Sequence, residues 1–228
     1  MNCGNIQLDD KKICFIICAN NNIFLEECIF YISQLEIPEN YSIDVISIAE
    51  AVSMASGYNE GMKASDAKYK VYIHQDVFII YKGFLQAIID IFASDTSIGM
   101  IGMVGAPKMS PTGVMWYGDR EGALYGVTQV GQDYSSYKYT LNDGLYEVDA
   151  VDGFIMVTSY DIPWREDLFD DWDFYDVSQS FEFKKAGYKV VVPEQISPWC
   201  IHECGVVNNL KNYNKYRKIC MKEYAEFF

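Results

Sequence analysis

Three polar residues interrupt an apolar and aromatic run in the first half of the chain. His74, Gln75 and Asp76 directly follow residues 69–73, whose β-branched and aromatic side chains are typical of a buried strand. A carboxylate at the end of such a strand suits Mg²⁺ or Mn²⁺, and these metals commonly bridge a protein carboxylate to substrate phosphates. The alternative is that Asp76 caps the next turn and His74 is a structural histidine.

A second group of candidate residues is acidic. Four aspartates fall within seven residues, at positions 170, 171, 173 and 176. We predict a helix over residues 173–186 with a polar stripe of Asp173, Asp176 and Ser180. An ordinary capped helix explains acidic residues in its first turn. Four exceed what capping requires, which indicates a carboxylate presented to a cleft, as a general base would be.

His202 is the second of only two histidines. The neighbouring Cys200 and Cys204 lack the paired spacing of a structural zinc site, so the sequence does not indicate zinc. A single histidine after a strand is either structural or a further ligand for the metal at Asp76.

The elements that must position these residues alternate along the chain. Strands are predicted at residues 12–18, 42–48, 69–73 and 98–104, with helices at 23–35, 51–64 and 81–92. This alternation predicts a mostly parallel sheet in α/β layers. Ligands bind beyond the carboxyl ends of such strands, where both residues 19–21 and 74–76 lie. We therefore expect a cleft there.

The second half of the chain differs from the first in composition and in its pattern of apolar residues. Residues 105–149 are rich in Gly, Tyr, Ser and Asp, and the tract 132–144 is interpreted as an exposed loop long enough to act as a lid. A strand at 188–193 and a final helix at about 210–228 follow, and that helix packs on its own core or on a partner. A single domain is expected.

Composition excludes several classes of function. The net charge of -14 argues against nucleic acid and anionic membrane surfaces as partners. No secretory signal and no apolar run of about 20 residues is visible, and the seven cysteines are interpreted as reduced thiols of a cytoplasmic protein. No G-x-G-x-x-G, Walker or G-x-S-x-G motif appears, which argues against dinucleotide-dependent redox, P-loop and α/β-hydrolase chemistry.

Taken in order, these segments resemble a family 2-type glycosyltransferase of the nucleotide-diphospho-sugar transferase (GT-A) fold, a three-layer α/β/α sandwich. The small bacterial glycosyltransferase-like group is the most similar. The resemblance runs from Ile13 to about Val206. The segments that carry it are residues 16–20 (IICAN), 55–64 (ASGYNEGMKA), 74–76 (HQD, at the D-x-D position), 151–153 (VDG), 172–178 (WDFYDVS), 186–188 (AGY) and His202.

The resemblance implies one domain, with a nucleotide-binding half at residues 12–104, an acceptor-side half at 105–206 and a C-terminal helix at 207–228. It also implies roles for individual residues. Asp176 matches the base that deprotonates the acceptor hydroxyl, and Asp76 and His202 would bind Mn²⁺ or Mg²⁺. The donor would contact Ala19, Asn20, Asn59, Lys63, His74 and Gln75. The acceptor side would comprise Gly153, Trp116 and Tyr175, the two aromatic residues either stacking on sugar rings or packing in the core.

The implied activity is transfer of a sugar from a nucleotide-diphospho-sugar to a hydroxyl acceptor such as a glycan. One base in a single displacement implies inversion at the anomeric carbon, with the tract 131–142 closing over the donor or shaping the acceptor site. The resemblance suggests a role in cell-surface polysaccharide or glycoprotein assembly. Because His74 replaces one carboxylate of the D-x-D motif, an inactive nucleotide-sugar or glycan-binding module is the alternative. A nucleotidyltransferase is a third possibility, which the lack of a Gly-rich basic loop disfavours.

Overall fold

The computed structural model describes residues 7–127, 134–139, 144–203 and 212–228. Within these ranges the helices are α1 (Asn22–Ser33), α2 (Met54–Ala64), α3 (Phe84–Ser94), α4 (Tyr175–Lys185) and α5 (Tyr213–Glu223). The strands are β1 (Asp9–Ala19), β2 (Ser42–Ala49), β3 (Ala67–His74), β4 (Val77–Ile79), β5 (Ile98–Gly102), β6 (Val104–Ala106), β7 (Glu121–Val127), β8 (Tyr134–Tyr139), β9 (Leu145–Glu147), β10 (Ala150–Val151), β11 (Ile155–Thr158), β12 (Lys189–Pro193) and β13 (Cys200–His202).

The main sheet has the strand order β2-β1-β3-β11-β5-β12-β9 in the described ranges. β1 pairs in parallel with β2 and β3, and β5 with β12. β11 runs antiparallel between β3 and β5, and β9 is antiparallel to β12. The expected α/β architecture is confirmed, and its sheet is mixed. A second sheet, β10-β6-β7-β13-β4, carries β8 on β7.

Strand β1 shows why helices cover both faces of the main sheet. Successive side chains of a strand point to opposite faces. Ile13, Phe15 and Ile17 pack in a core that includes Cys28 of α1 and Leu85 of α3. Cys14, Ile16 and Cys18 pack on the other side with residues of α2 and α4. The result is the predicted three-layer arrangement.

Two features at helix starts position the cleft. Asn21 caps α1 by accepting from the backbone N–H of Ile23 at 3.0 Å, as the Asn-rich segment predicts. α4 begins at Tyr175 because Phe174 has a φ of +64°, which a right-handed helix cannot include. Asp173 therefore lies outside the helix, so the predicted stripe that includes it is wrong.

The segments after β7 and β13 differ in part from expectation. The predicted loop 132–144 contains strand β8, which pairs antiparallel with β7. The remaining residues of that loop, except Gly144, lie outside the described ranges, as do Cys204 and the predicted helix start at residue 210. α5 packs on its own core, with Tyr216 and Cys220 buried. In the described part of the chain, no helix has the length and apolarity to cross a bilayer.

Candidate active site

A cleft of about 320 Å³ opens at the carboxyl ends of β1, β2 and β3. The sequence places polar residues at these ends, and the sheet brings them together as expected. The lining residues are Cys18, Ala19, Asn20, Ile48, Glu50, Ala51, Met54, His74, Gln75, Asp76 and Trp172. Among these described residues there is no Lys or Arg, so the cleft itself offers no cationic side chain to an anionic ligand.

Gln75 ties the end of β3 to the start of α1. Its side-chain oxygen accepts from the backbone N–H groups of Asn20 and Asn21, both at 2.9 Å, and its amide nitrogen donates to the Asn20 side chain at 2.6 Å. These bonds satisfy two backbone donors at the rim of the cleft. Gln75 and Asn20 thus form a fixed polar wall.

His74, Asp76 and His202 form a cluster beside this wall. Their ligating atoms all lie within 4.8 Å of one another. Asp76 Oδ1 is 3.9 Å from His74 Nδ1 and 3.6 Å from His202 Nε2. β13 brings His202 here by pairing with β4, and the backbone N–H of Glu203 donates to the Asp76 carbonyl at 2.9 Å. The antiparallel pairing explains why residues 126 positions apart meet.

The protonation states of this cluster favour a cation. Burial, aided by His202, lowers the pKa of His74 to about 3, and burial lowers the pKa of His202 to about 4. Burial chiefly, with a contribution from Glu203, raises the pKa of Asp76 to about 6. At neutral pH both imidazoles are therefore neutral, and the carboxylate is mainly ionised without a cationic partner in the cluster.

Two imidazoles and one carboxylate are a donor set that divalent metals accept. Imidazole suits borderline metals and carboxylate suits Mn²⁺ or Mg²⁺, so the mixed set fits Mn²⁺ better than Mg²⁺. The second nitrogen of His74, Nε2, lies 2.5 Å from the hydroxyl of Tyr175. This hydrogen bond orients the ring with Nδ1 towards Asp76, as outer hydrogen bonds do for metal-binding histidines.

Asp176 lies in the first turn of α4 with its carboxylate held at both oxygens. Oδ2 accepts from the backbone N–H of Gly153 at 3.1 Å, and Oδ1 accepts from that of Val177 at 2.8 Å. Burial first, and then the neighbouring Asp152, raises the pKa of Asp176 to about 7. A carboxylate with such a pKa can exchange a proton near neutral pH.

Asp176 lines a second, smaller cavity of about 170 Å³. Its walls are largely aromatic and consist of Met115, Trp116, Trp172, Asp173, Phe174, Tyr175, Asp176, Val177 and Tyr213. Trp172 lines both cavities, so the aromatic cavity directly adjoins the cleft. The sequence analysis assigned no role to Trp172, Glu50 or Tyr213. Only the position of Trp172 between Asp171 and Asp173 could have indicated that it belongs to the site.

Two predicted donor-site residues, Asn59 and Lys63, do not line the cleft, and the ring of the predicted acceptor-side residue Tyr175 is buried beside the aromatic cavity. Asn59 is buried on α2, and its amide makes two 2.9 Å hydrogen bonds to the backbone of Trp164. Lys63, at the end of α2, is exposed and does not line the cleft. Tyr175 is 5% exposed and packs against Tyr58 and Trp164, which supports core packing over sugar stacking for its ring. Trp116 lines the aromatic cavity, and Gly153 contacts Asp176 through its backbone N–H.

Residues 14–224 match the model of the glycosyltransferase-like family, and the chain belongs to this family. No curated protein sequence matches the chain.

Solved structures confirm the GT-A fold. TarS of S. aureus superposes with a TM-score of 0.60 at 9% identity, covering 93% of this chain and 39% of that one. The mannosyltransferase PcManGT of Pyrobaculum calidifontis, in complex with GDP-Man and Mn²⁺, gives 0.56 at 10% identity, covering 93% and 62%. TarS 1–349 in complex with UDP-GlcNAc gives 0.53 at 10% identity, covering 87% and 59%. The chain spans less than two thirds of each of these structures.

Proposed function

We propose that the protein is a glycosyltransferase that moves a sugar from a nucleotide-diphospho-sugar to a hydroxyl acceptor with inversion at the anomeric carbon. The donor would occupy the cleft at the ends of β1 to β3, against the wall formed by Asn20 and Gln75. Family membership supports this proposal, as do structural neighbours that bind UDP-GlcNAc and GDP-Man.

The cleft requires a cation for this donor. A nucleotide diphosphate carries negative charge, the chain has a net charge of -14, and no lysine or arginine is among the described residues of the cleft. Asp76 and His202 would hold Mn²⁺ or Mg²⁺, with His74 Nδ1 as a further ligand. When bound, the metal would offset charge that develops on the leaving diphosphate.

Asp176 is the proposed base. The acceptor oxygen attacks the anomeric carbon, its proton passes to the Asp176 carboxylate, and the bond from that carbon to the diphosphate oxygen breaks, releasing a nucleoside diphosphate. The N–H groups of Gly153 and Val177 hold the carboxylate in place during this step. A pKa of about 7 makes the group ionised enough to accept a proton at neutral pH.

One observation carries the proposal: Trp172 forms a wall shared by the cavity that His74 and Asp76 line and the cavity that Asp176 lines. A metal-assisted leaving group and a base for the incoming hydroxyl must lie on opposite sides of the reacting carbon. The two adjoining cavities supply these two sides.

The test is release of nucleoside diphosphate from UDP-glucose, UDP-GlcNAc and GDP-mannose with Mn²⁺ and mixed sugar acceptors. We expect release by the wild type and loss of at least about 100-fold in Asp176→Asn, with donor binding retained. The anomeric configuration of the product, read by NMR, tests inversion. Nucleotide binding without release under any condition would instead support the second candidate, a binding module, which the replacement of a D-x-D carboxylate by His74 favours.

A further inference from the structure

The aromatic cavity beside Asp176 has features that its role as the location of a base does not require. Trp116 and Trp172 are 44% and 46% exposed, although large aromatic side chains are usually covered. Both line the same cavity, together with Tyr213. Exposed aromatic rings around a pocket with few polar groups are typical of a ligand site.

The rings on one side of this cavity are rigidly supported. Trp116 packs on Tyr213 with ring centroids 5.3 Å apart, and Tyr213 packs on Phe174 at 4.8 Å. Phe174 is 5% exposed, and its left-handed backbone conformation directly precedes α4, whose second residue is Asp176. The aromatic wall and the base are therefore fixed to one another through consecutive residues.

The charge of the cavity selects against anions. Asp173 and Asp176 are its carboxylates, and no lysine or arginine is among its described lining residues. Arg217 of α5 donates to the carbonyl of Thr112 and does not line the cavity. A phosphate or carboxylate on an incoming molecule would meet like charge here.

We propose that this cavity is the acceptor subsite and that it takes one uncharged pyranose ring, whose apolar C–H face lies on Trp116 and whose hydroxyl faces Asp176. The inference rests on the proposed transferase function. The volume of about 170 Å³ is below the roughly 300–1,000 Å³ of sites for drug-sized ligands, so it holds a single ring at a time. The acceptor is thus a neutral sugar or the neutral end of a glycan.

The experiment compares acceptors and matched tryptophan and tyrosine variants. Methyl glucoside, methyl mannoside, methyl galactoside and N-acetylglucosamine are the uncharged acceptors, octyl glucoside represents a lipid-linked one, and glucuronic acid and glycerol 3-phosphate are the anionic ones. Transfer is measured in wild type, Trp116→Ala, Trp116→Phe and Tyr117→Ala. Tyr117 is the control because it is adjacent, aromatic and 72% exposed but does not line the cavity.

We expect transfer to at least one uncharged sugar and none to the anions. Trp116→Ala raises the acceptor KM by about tenfold, the equivalent of one lost ring contact, whereas Trp116→Phe restores most of the affinity and Tyr117→Ala changes nothing. Donor Kd stays the same in all variants. A preference for octyl over methyl glucoside assigns the sugar to a lipid-linked source, and equal use assigns it to a glycan.

Preference for glycerol 3-phosphate or glucuronic acid, or equal KM values for Trp116→Ala and Tyr117→Ala, overturns the inference. If no acceptor is used, binding of the uncharged sugars to the donor-bound protein is measured by quenching of tryptophan fluorescence. The absence of quenching also overturns the inference. Failure of all donors to bind is a different result and contradicts the proposed function itself.

Discussion

The hydroxyl of Tyr175 lies 2.5 Å from Nε2 of His74, which joins the end of β3 to the first turn of α4. The same hydroxyl packs against Gly153, where an added Cβ would overlap it. Gly153 in turn donates its N–H to Asp176. One tyrosine therefore connects the proposed metal ligands with the proposed base.

Removing this hydroxyl is expected to weaken metal binding. In Tyr175→Phe, His74 loses the partner that orients its ring, and the loss of such a partner typically costs about 10–100-fold in metal affinity. Calorimetric titration with Mn²⁺ in the presence of UDP measures the effect. Tyr117→Phe, an exposed tyrosine, is the control. Equal Mn²⁺ affinity in Tyr175→Phe and the control would show that the bond does not position His74.

The pKa of Asp176 predicts how the rate depends on pH. A base must be ionised, and this pKa is about 7. We expect kcat/KM to rise about tenfold per pH unit below pH 7 and to level off above it. Asp176→Asn abolishes the slope together with the activity. Asp173→Asn, which alters a carboxylate of the same cavity, keeps the profile; a flat wild-type profile from pH 5 to pH 8 would contradict the role of Asp176.

The same pKa also predicts how the stability of the fold depends on pH: stability should fall as the pH rises, whereas activity should rise. Because the folded state raises the pKa of Asp176 from 3.8 to about 7, the stabilising contribution of the protonated group is complete below about pH 4 and is lost as the pH rises through 7. Asp176→Asn should therefore gain stability relative to wild type between pH 5 and pH 8. We expect a gain of about 1–2 kcal/mol in the free energy of unfolding. The gain is no larger because the carboxyl faces the cavity, where solvent reduces the cost of its ionisation. Urea unfolding of the wild type and Asp176→Asn at pH 5 and pH 8 measures this effect. A difference in free energy of unfolding between the two proteins that is the same at both pH values would contradict the prediction.

Gly153→Ala is expected to disturb both halves of the site. The new Cβ overlaps the Tyr175 hydroxyl, and overpacking of this kind costs about 1–3 kcal/mol. The double variant Gly153→Ala, Tyr175→Phe should recover part of the loss because the closest overlapping atom is gone, while the ring carbons Cζ and Cε2, at 2.6 and 2.7 Å from the new Cβ, remain. Free energies of unfolding for the four proteins form a double-mutant cycle; strictly additive losses would show that the two residues are not in contact.

Local patterns in the sequence predicted the frame of the site. The apolar strands and the polar residues that follow them indicated a cleft at the ends of β1 and β3, and Asn21 indicated the start of α1. Parallel strand ends meet at one edge of a sheet, so neighbouring ends in the sheet are brought together. For this reason the predicted proximity of Asp76 and Asn20 agrees with the structure.

Features set by long-range packing could not be predicted in this way. Phe174, whose buried ring packs on Tyr213, has a left-handed backbone conformation that moves the start of α4 past Asp173. Asn59 matches a family segment but serves the backbone of Trp164, 105 residues away. The antiparallel insertion of β11 between β3 and β5 likewise follows from tertiary pairing rather than from alternation of strands and helices.

The most direct test of the account is calorimetric titration of the protein with UDP and GDP, with and without Mn²⁺, in wild type, Asp76→Asn and the exposed control Asp90→Asn. We predict Mn²⁺-dependent binding of at least one nucleotide to the wild type and to Asp90→Asn, and its loss in Asp76→Asn. Mn²⁺-dependent binding that survives in Asp76→Asn would place the metal elsewhere. No binding to either nucleotide in any condition would contradict the proposed function.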